Sequence, residues 1–337
     1  MRRPTSFDIA ALANVSQPTV SRALSGSPSV SEATRARVLA AAEQLNYKVD
    51  KNASGLRTRH SRTIALLFFE DPTPDDTLIN PFYLSMVGAM THACAKHRYD
   101  LLISFQQLSG DWHVDYEDSR KADGILLLGY GDYVAAQPRL EQLVEQGTHF
   151  VRWGAARVGQ VGTTVGSDNE QGGYLAGRHL IERGRRQIAF LGTIGDGAPE
   201  FRERWNGFSR AMNEAGQVAD PALRVDAEPT EEAGRAATQA LLDRGAAFDA
   251  IFATSDFAAI GALRALHEAG RRVPDDVAIV GFDDVAAARL SEPALTTVAQ
   301  NPRRAGEALI EALIARIEER DTANVLLPVS LVVRGSS

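Results

Sequence analysis

Two sets of side chains in this 337-residue chain have types and spacing suited to recognition. Gln17, Thr19, Ser21 and Arg22 surround Val20 and Leu24, whose separation of four places both apolar groups on one helix face and leaves the polar ones pointing outward. Such groups hydrogen-bond base edges and phosphates. The second set closes apolar runs of strand length: Phe82 in Asn80-Pro81-Phe82-Tyr83, Trp153 after Phe150, Asp256 in Thr254-Ser255-Asp256, and Asp283 in Gly281-Phe282-Asp283-Asp284. Aromatic faces stack on the apolar face of a sugar ring, and carboxylates accept several directed bonds from hydroxyls. A neutral polyhydroxyl ligand fits this set. The plainer uses are packing between lobes for the rings and helix capping for the aspartates.

Catalytic chemistry has little support. The single cysteine, Cys94, allows no internal disulfide, and the seven histidines lack paired metal-ligand spacing. Gly192-Thr193-Ile194-Gly195-Asp196-Gly197 follows a strand, yet its spacing departs from G-x-G-x-x-G, and neither a P-loop nor a G-x-S-x-G elbow occurs. No enzyme activity, cofactor or metal is expected. The 44% hydrophobic and 23% charged composition is that of a globular protein, with no apolar run long enough for a membrane span. Without a signal-peptide pattern at the start, a cytoplasmic setting is expected.

Charge separates the chain into two parts. Residues 1–62 carry ten basic side chains against four acidic ones, a net +6; since the whole chain carries −7, the remainder carries −13. A basic head on an acidic body concentrates attraction for DNA in the head. Ile9, Leu12 and Ala13 mark a first helix, Asn14 a left-handed turn, and Ser16 and Pro18 the start of a second helix from about Gln17 to Leu24. A third follows Ser31, with Val38, Leu39, Ala42 and Leu45 as its inward stripe. This is a helix-turn-helix pattern, whose second helix enters the major groove.

Asp8-Ile9-Ala10, Val15-Ser16, Thr19-Val20-Ser21-Arg22-Ala23-Leu24 and Leu45-Asn46-Tyr47 resemble the head of the LacI/GalR family of bacterial transcription regulators, and the similarity runs over the whole chain. The resemblance implies DNA contacts from Thr5, Ser16, Gln17, Pro18, Thr19, Ser21 and Arg22. It also implies a hinge helix over 50–62 that orders on DNA, with Leu56 as a minor-groove wedge and Ala53 small enough for close approach. A flexible polar linker is the plainer reading of that segment. Asn14 stands where the family usually has glycine, Val49 where proline is common, and Gly55 weakens the hinge helix by about 1 kcal/mol relative to alanine.

From Thr63 onward, strand-length runs alternate with helical segments in two series: Ile64 to Phe69, Leu101 to Phe105, Gly124 to Leu128 and Phe150 to Trp153, then Gln187 to Leu191, Ala250 to Ala253 and Val277 to Gly281. Two parallel sheets follow, with ligands expected beyond their carboxyl ends. With what the resemblance implies, the expected fold is an all-α helix-turn-helix head, residues 1–49, a hinge, 50–62, and a two-lobed α/β body, 63–337, similar to type I periplasmic binding proteins. The resemblance implies crossings between lobes near Gly162, Pro293 and Leu326. Lobe 1 then comprises about 63–162 and 294–325, and lobe 2 about 163–293 and 326–337. It also implies effector-binding roles for Arg204 and for Asp256 and Asp283; Gln300 sits at a crossover. Arg204 could otherwise be a solvated surface group.

The expected function is a homodimeric repressor of carbohydrate-utilisation genes that binds a near-palindromic operator and is switched by a small sugar. With no heptad tail after Val329 to Val333, a dimer is favoured over a tetramer. A transport-type solute-binding protein and an α/β enzyme are the competing classes.

Overall fold

The computed structural model describes residues 4–47, 60–69, 79–106, 110–129, 133–156 and 159–337. The chain forms two units, Met1–Ser61 and Arg62–Ser337. Ala53 and Leu56, with most of the expected hinge, lie outside the described residues.

The first unit holds α1 (Ser6–Ala13), α2 (Gln17–Leu24) and α3 (Glu32–Gln44). Asn14 adopts the left-handed conformation, φ 51°, that turns the chain between α1 and α2. Ile9, Val20 and Val38 are fully buried at the centre, with Ala10, Ala13, Ala23, Ala41 and Ala42 around them. Two expected core residues are not there: Leu12 is 47% exposed and Leu39 50% exposed. In helices this short the small alanines face inward and let the backbones approach, which turns the larger leucines toward solvent. Ser31 caps α3 as expected, accepting from Thr34 N–H. Ser16 does not cap α2 through its hydroxyl, which instead pairs with Thr19 Oγ1 at 2.8 Å.

The second unit runs β1 (Thr63–Phe69), α4 (Pro81–Lys96), β2 (Asp100–Gln106), a short π-helix (His113–Asp118), β3 (Gly124–Leu128), α5 (Tyr133–Glu145), β4 (Phe150–Trp153) and β5 (Thr163–Ser167). It continues through α6 (Asn169–Glu182), β6 (Ile188–Leu191), α7 (Pro199–Glu214), β7 (Arg224–Val225), α8 (Glu231–Asp243), β8 (Ala250–Ala253), α9 (Asp256–Glu268), β9 (Ala278–Asp283) and α10 (Ala286–Leu290). It ends with β10 (Thr296–Ala299), α11 (Pro302–Ile317), β11 (Val325–Leu327) and β12 (Ser330–Val332).

Among the described residues these strands make two six-stranded sheets, ordered β11-β5-β4-β3-β1-β2 and β12-β10-β9-β8-β6-β7. All neighbours pair in parallel except β12, which runs antiparallel to β10. The crossings lie later than expected. Thr163–Ser167 pairs with β4, so the first lobe extends through Ser167 rather than ending near Gly162. Thr296–Ala299 pairs with β9, so the return to the first lobe follows Ala299 rather than Pro293. Val325–Leu327 still pairs with β5, placing the last crossing just after Leu327. These strands have only three to five residues, and β5 and β10 open on threonine pairs, so sequence alternation does not mark them.

Helices cover both faces of each sheet, and their closest approach positions the site. A Cβ on Gly207 would lie 1.8 Å from the Glu170 carbonyl, and one on Gly173 would lie 1.9 Å from the Arg204 carbonyl. Only glycine permits α6 and α7 to pack backbone against backbone here, which brings Arg204 beside Asn169.

Candidate functional site

On the head, the candidate residues of α2 differ in exposure. Ser16, Pro18 and Arg22 are exposed, while Gln17, Thr19 and Ser21 are half-buried. Gln17 Nε2 donates to Ser6 Oγ of α1 at 3.3 Å, tying the two helices together, and Arg22 Nε donates to the Pro18 carbonyl at 3.3 Å, so the arginine stem lies along α2. Thr5 acts locally, since its N–H and its hydroxyl both donate to Asp8 Oδ2 at 2.7 Å and close the start of α1.

In the body, the carboxyl ends of the two sheets meet. Glu200, at the start of α7, accepts the N–H of Ala155, just beyond β4, at 3.1 Å, a bond that crosses between lobes. Phe82 and Trp153 are 2% and 7% exposed, with ring centroids 5.8 Å apart. Both belong to the first-lobe core, which also takes in Val285, with Phe257 packed against it from the second lobe. The two rings thus pack against each other within this cluster.

The polar candidates converge on the second-lobe strand ends. Arg204 is only 2% exposed, which excludes the solvated-surface reading. Its Nε donates to Asn169 Oδ1 at 2.9 Å, its Nη1 to the Thr254 carbonyl, and its Cζ lies 3.6 Å from the centroid of the Phe282 ring. Asp256 is fully buried at the first position of α9; Oδ1 accepts Thr297 Oγ1 at 2.5 Å and Oδ2 accepts Val285 N–H at 2.8 Å. The cap of that helix is Ser255, which accepts from Ala258 N–H, so Asp256 is not the capping residue. Burial, and then the charge of Asp283, push the Asp256 carboxyl well above its ordinary range.

Asp283 is the least settled group. Its φ of 117° lies where residues other than glycine are strained, and Asp284 follows at 55°. Gln300 Nε2 donates to its Oδ1 at 2.6 Å, whereas its buried Oδ2 meets no donor among the described residues. Burial raises the carboxyl to about 6, against the pull of the Arg204 cation. A carboxylate so placed is an acceptor held ready for a donor brought by a ligand.

A helix-turn-helix head joined to two parallel sheets with polar groups at their facing ends is the arrangement found in known regulators. Residues 7–50 match the model of bacterial regulatory proteins of the lacI family, and residues 178–337 match the periplasmic binding protein-like domain. The HTH-type transcriptional regulator CelR of Thermobifida fusca is 36% identical, covering 99% of this chain and 98% of its own. The chain belongs to the LacI family. Among solved LacI-family structures, a transcriptional regulator CelR–cellobiose complex superposes with a TM-score of 0.75 at 33% identity, covering 99% of this chain and 100% of its own. The lac repressor dimer bound to operator and the anti-inducer ONPF gives 0.86 at 25% identity, with 99% of each chain covered. This LacI-family chain is thus a helix-turn-helix transcriptional regulator with a type I periplasmic-binding-like body. No described helix is long and apolar enough to cross a membrane.

Three polar residues near Arg204 escaped sequence reasoning. Asn169 bridges Arg204, the Ser167 carbonyl at 3.0 Å and Glu203 Oε2 at 3.4 Å. Glu200 forms the inter-lobe bond, and burial together with the Glu200 charge raises Glu203 to about 7. A signal was present for Glu200, which stands four residues before Arg204 and so shares its helix face; Glu203 and Asn169 left none.

Proposed function

We propose that this regulator is a cytoplasmic, non-enzymatic, homodimeric repressor that reads a near-palindromic operator and is switched by a small neutral carbohydrate bound between the lobes. In this reading Gln17, Thr19, Ser21 and Arg22 face bases and phosphates, aided by Thr5, Ser16 and Pro18, with Ala53 and Leu56 at the hinge. Arg204, Asp256, Asp283 and Gln300 supply the polar side of the effector site, and Phe82 and Trp153 its apolar wall. One observation carries the ligand reading: Asp283 holds a buried carboxylate oxygen with no donor among the described residues, on a strained backbone, within the field of Arg204. Neutral hydroxyls suit it better than phosphate or carboxylate, which the Asp283 carboxylate would repel. The cellobiose complex of the similar CelR adds support for a sugar.

The coupling needs only differential affinity. A ligand that favours one arrangement of the lobes by about 1–3 kcal/mol changes operator affinity about 5- to 150-fold. Footprinting on genomic fragments, with mono- and disaccharides titrated in, is the direct test. A protected near-palindrome released by one sugar is expected. Equal protection of scrambled DNA, or turnover of the sugar, would defeat the proposal.

A further inference from the structure

The geometry points to Arg334 as a positioning residue for the effector site, acting through Asp284 to hold the Asp283 carboxylate in the cleft. Nothing in the family motif or in the strand ends singles it out, since it lies beyond the last strand.

The turn after β9 carries two consecutive residues at positive φ, Asp283 and Asp284, neither of them glycine. Such a backbone persists only when its surroundings fix it from several sides. Three ties do so here. Gln300 donates to Asp283, and Val285 N–H donates to Asp256 Oδ2. Asp284 Oδ1 receives Arg334 Nη2 at 2.5 Å, an ion pair whose side chains are 24% and 14% exposed. The first two ties come from residues already placed in the candidate site; the third comes from outside it.

Arg334 is itself anchored. Its Nη1 donates to the Leu295 carbonyl at 2.8 Å, and its N–H to Thr296 Oγ1 at 2.9 Å. The guanidinium therefore presents one edge to the entry of β10 and the other to Asp284, joining the terminal segment to the turn. A planar fork with fixed donors holds an angle that a lysine ammonium cannot. With the pair intact, Asp284 cannot swing away, and the Asp283 side chain stays buried with one oxygen unpaired.

The proposal rests on reading the cleft as the effector site, so its first test is free of ligand. In the full chain with 13C-labelled aspartate carboxyls, the Asp283 resonance is assigned by its loss in Asp283→Asn and titrated. The midpoint in the parent protein is expected at about 6. In Arg334→Gln it is expected to fall by about one unit or more toward the ordinary 3.8, because a released turn lets water reach the carboxyl. Electrostatics alone gives the opposite sign: losing a cation and leaving Asp284 unpaired would hold or raise the midpoint. The groups facing Asp283 from its neighbours, Arg204 on α7, Asp256 on α9 and Gln300 after β10, are unchanged in this variant. Should Arg334→Gln fold poorly, the double variant Asp284→Asn/Arg334→Gln leaves no unpaired charge and is expected to show the same fall. Arg235→Gln, which breaks an exposed pair with Glu268 in the same lobe, is expected to leave the midpoint in place.

Cellobiose serves as the ligand probe in calorimetry. If the parent binds it, Arg334→Gln is expected to weaken binding by about tenfold or more, with operator affinity in the absence of sugar unchanged. A parent that ignores cellobiose counts against that sugar as effector, while the titration still decides the role of Arg334. An Asp283 midpoint that stays at the parent value or rises in folded Arg334→Gln overturns the proposal.

Discussion

Replacing Arg204 with methionine keeps the unbranched stem and removes the guanidinium, and the structure sets the size of the effect. Two acceptors, Asn169 Oδ1 and the Thr254 carbonyl, lose their donor inside the lobe. An unsatisfied buried acceptor costs about 1–3 kcal/mol. Loss of the stack on Phe282, 3.6 Å from the ring centroid, removes up to about 2 kcal/mol more in a desolvated setting. Partial relaxation of Asn169 lowers the sum, so about 3–5 kcal/mol is expected, the range measured when one partner of a buried charge network is deleted. For a unit of this size each kcal/mol moves the melting temperature by about 2–4 °C, so a fall of about 10 °C should appear in calorimetry of the body transition. Asp283, deprived of its cation, should titrate higher than about 6. A melting temperature within about 2 °C of the parent would refute the reasoning, because it would mean that the guanidinium is not tied into the fold. Any loss of ligand response in an Arg204 variant therefore has to be read beside its stability.

Asp283→Asn is the cleaner probe of binding: it preserves size and the bond from Gln300, removes a buried charge, and should melt at or above the parent at pH 7 while losing the ligand response in an operator-release assay. Glu203 gives a pH signature. Its folded pKa is raised from 4.5 to about 7, so stability is fullest below 4.5 and declines as pH rises through about 7. Because the group is half-buried, solvent screening limits the decline to about 1–2 kcal/mol, and Glu203→Gln should flatten it in denaturant melts between pH 5 and 8. Persistence of the full slope in that variant would assign it elsewhere. On the head, Arg22→Ala should weaken operator binding and reduce the slope of log affinity against log salt by about one if Arg22 neutralises a phosphate, or leave that slope intact and relax sequence preference if it reads a base.

What the sequence made legible divides by the kind of signal each residue leaves. α2 was readable to its last residue, Gln17–Leu24, because an early proline and i, i+4 apolar spacing act within one or two turns, even though the expected Ser16 cap does not form. The central strands β3, β4 and β8 were readable to the residue because strands buried on both faces appear as nearly continuous apolar runs, interrupted here only by Arg152 in β4. Leu12 and Leu39 misled for the opposite reason: hydrophobicity states what a side chain prefers, while the small alanines beside them decide which face closes. β5 and β10 begin with threonine pairs, and only their neighbours β4 and β9 reveal them as strands.

The site follows the same division. Arg204, Asp256, Asp283 and Gln300 could be named from family resemblance and strand ends, but which groups leave bonding capacity for a ligand is a property of the assembled lobe. Asp256 has a hydrogen on each oxygen, from Thr297 and Val285 N–H, so its carboxylate is largely spent on holding β9 and β10 together. Asp283 has one oxygen bonded and one not, at a backbone angle that no local sequence rule would assign to aspartate. Two aspartates of equal standing in the sequence are therefore bonded differently: both oxygens of Asp256 are engaged, and one oxygen of Asp283 meets no donor among the described residues. Because Gln300, Arg334 and Arg204 reach that one turn from three separated stretches of chain, the site exists only where the crossings between lobes bring those stretches together, and this is why spacing alone could not rank its members.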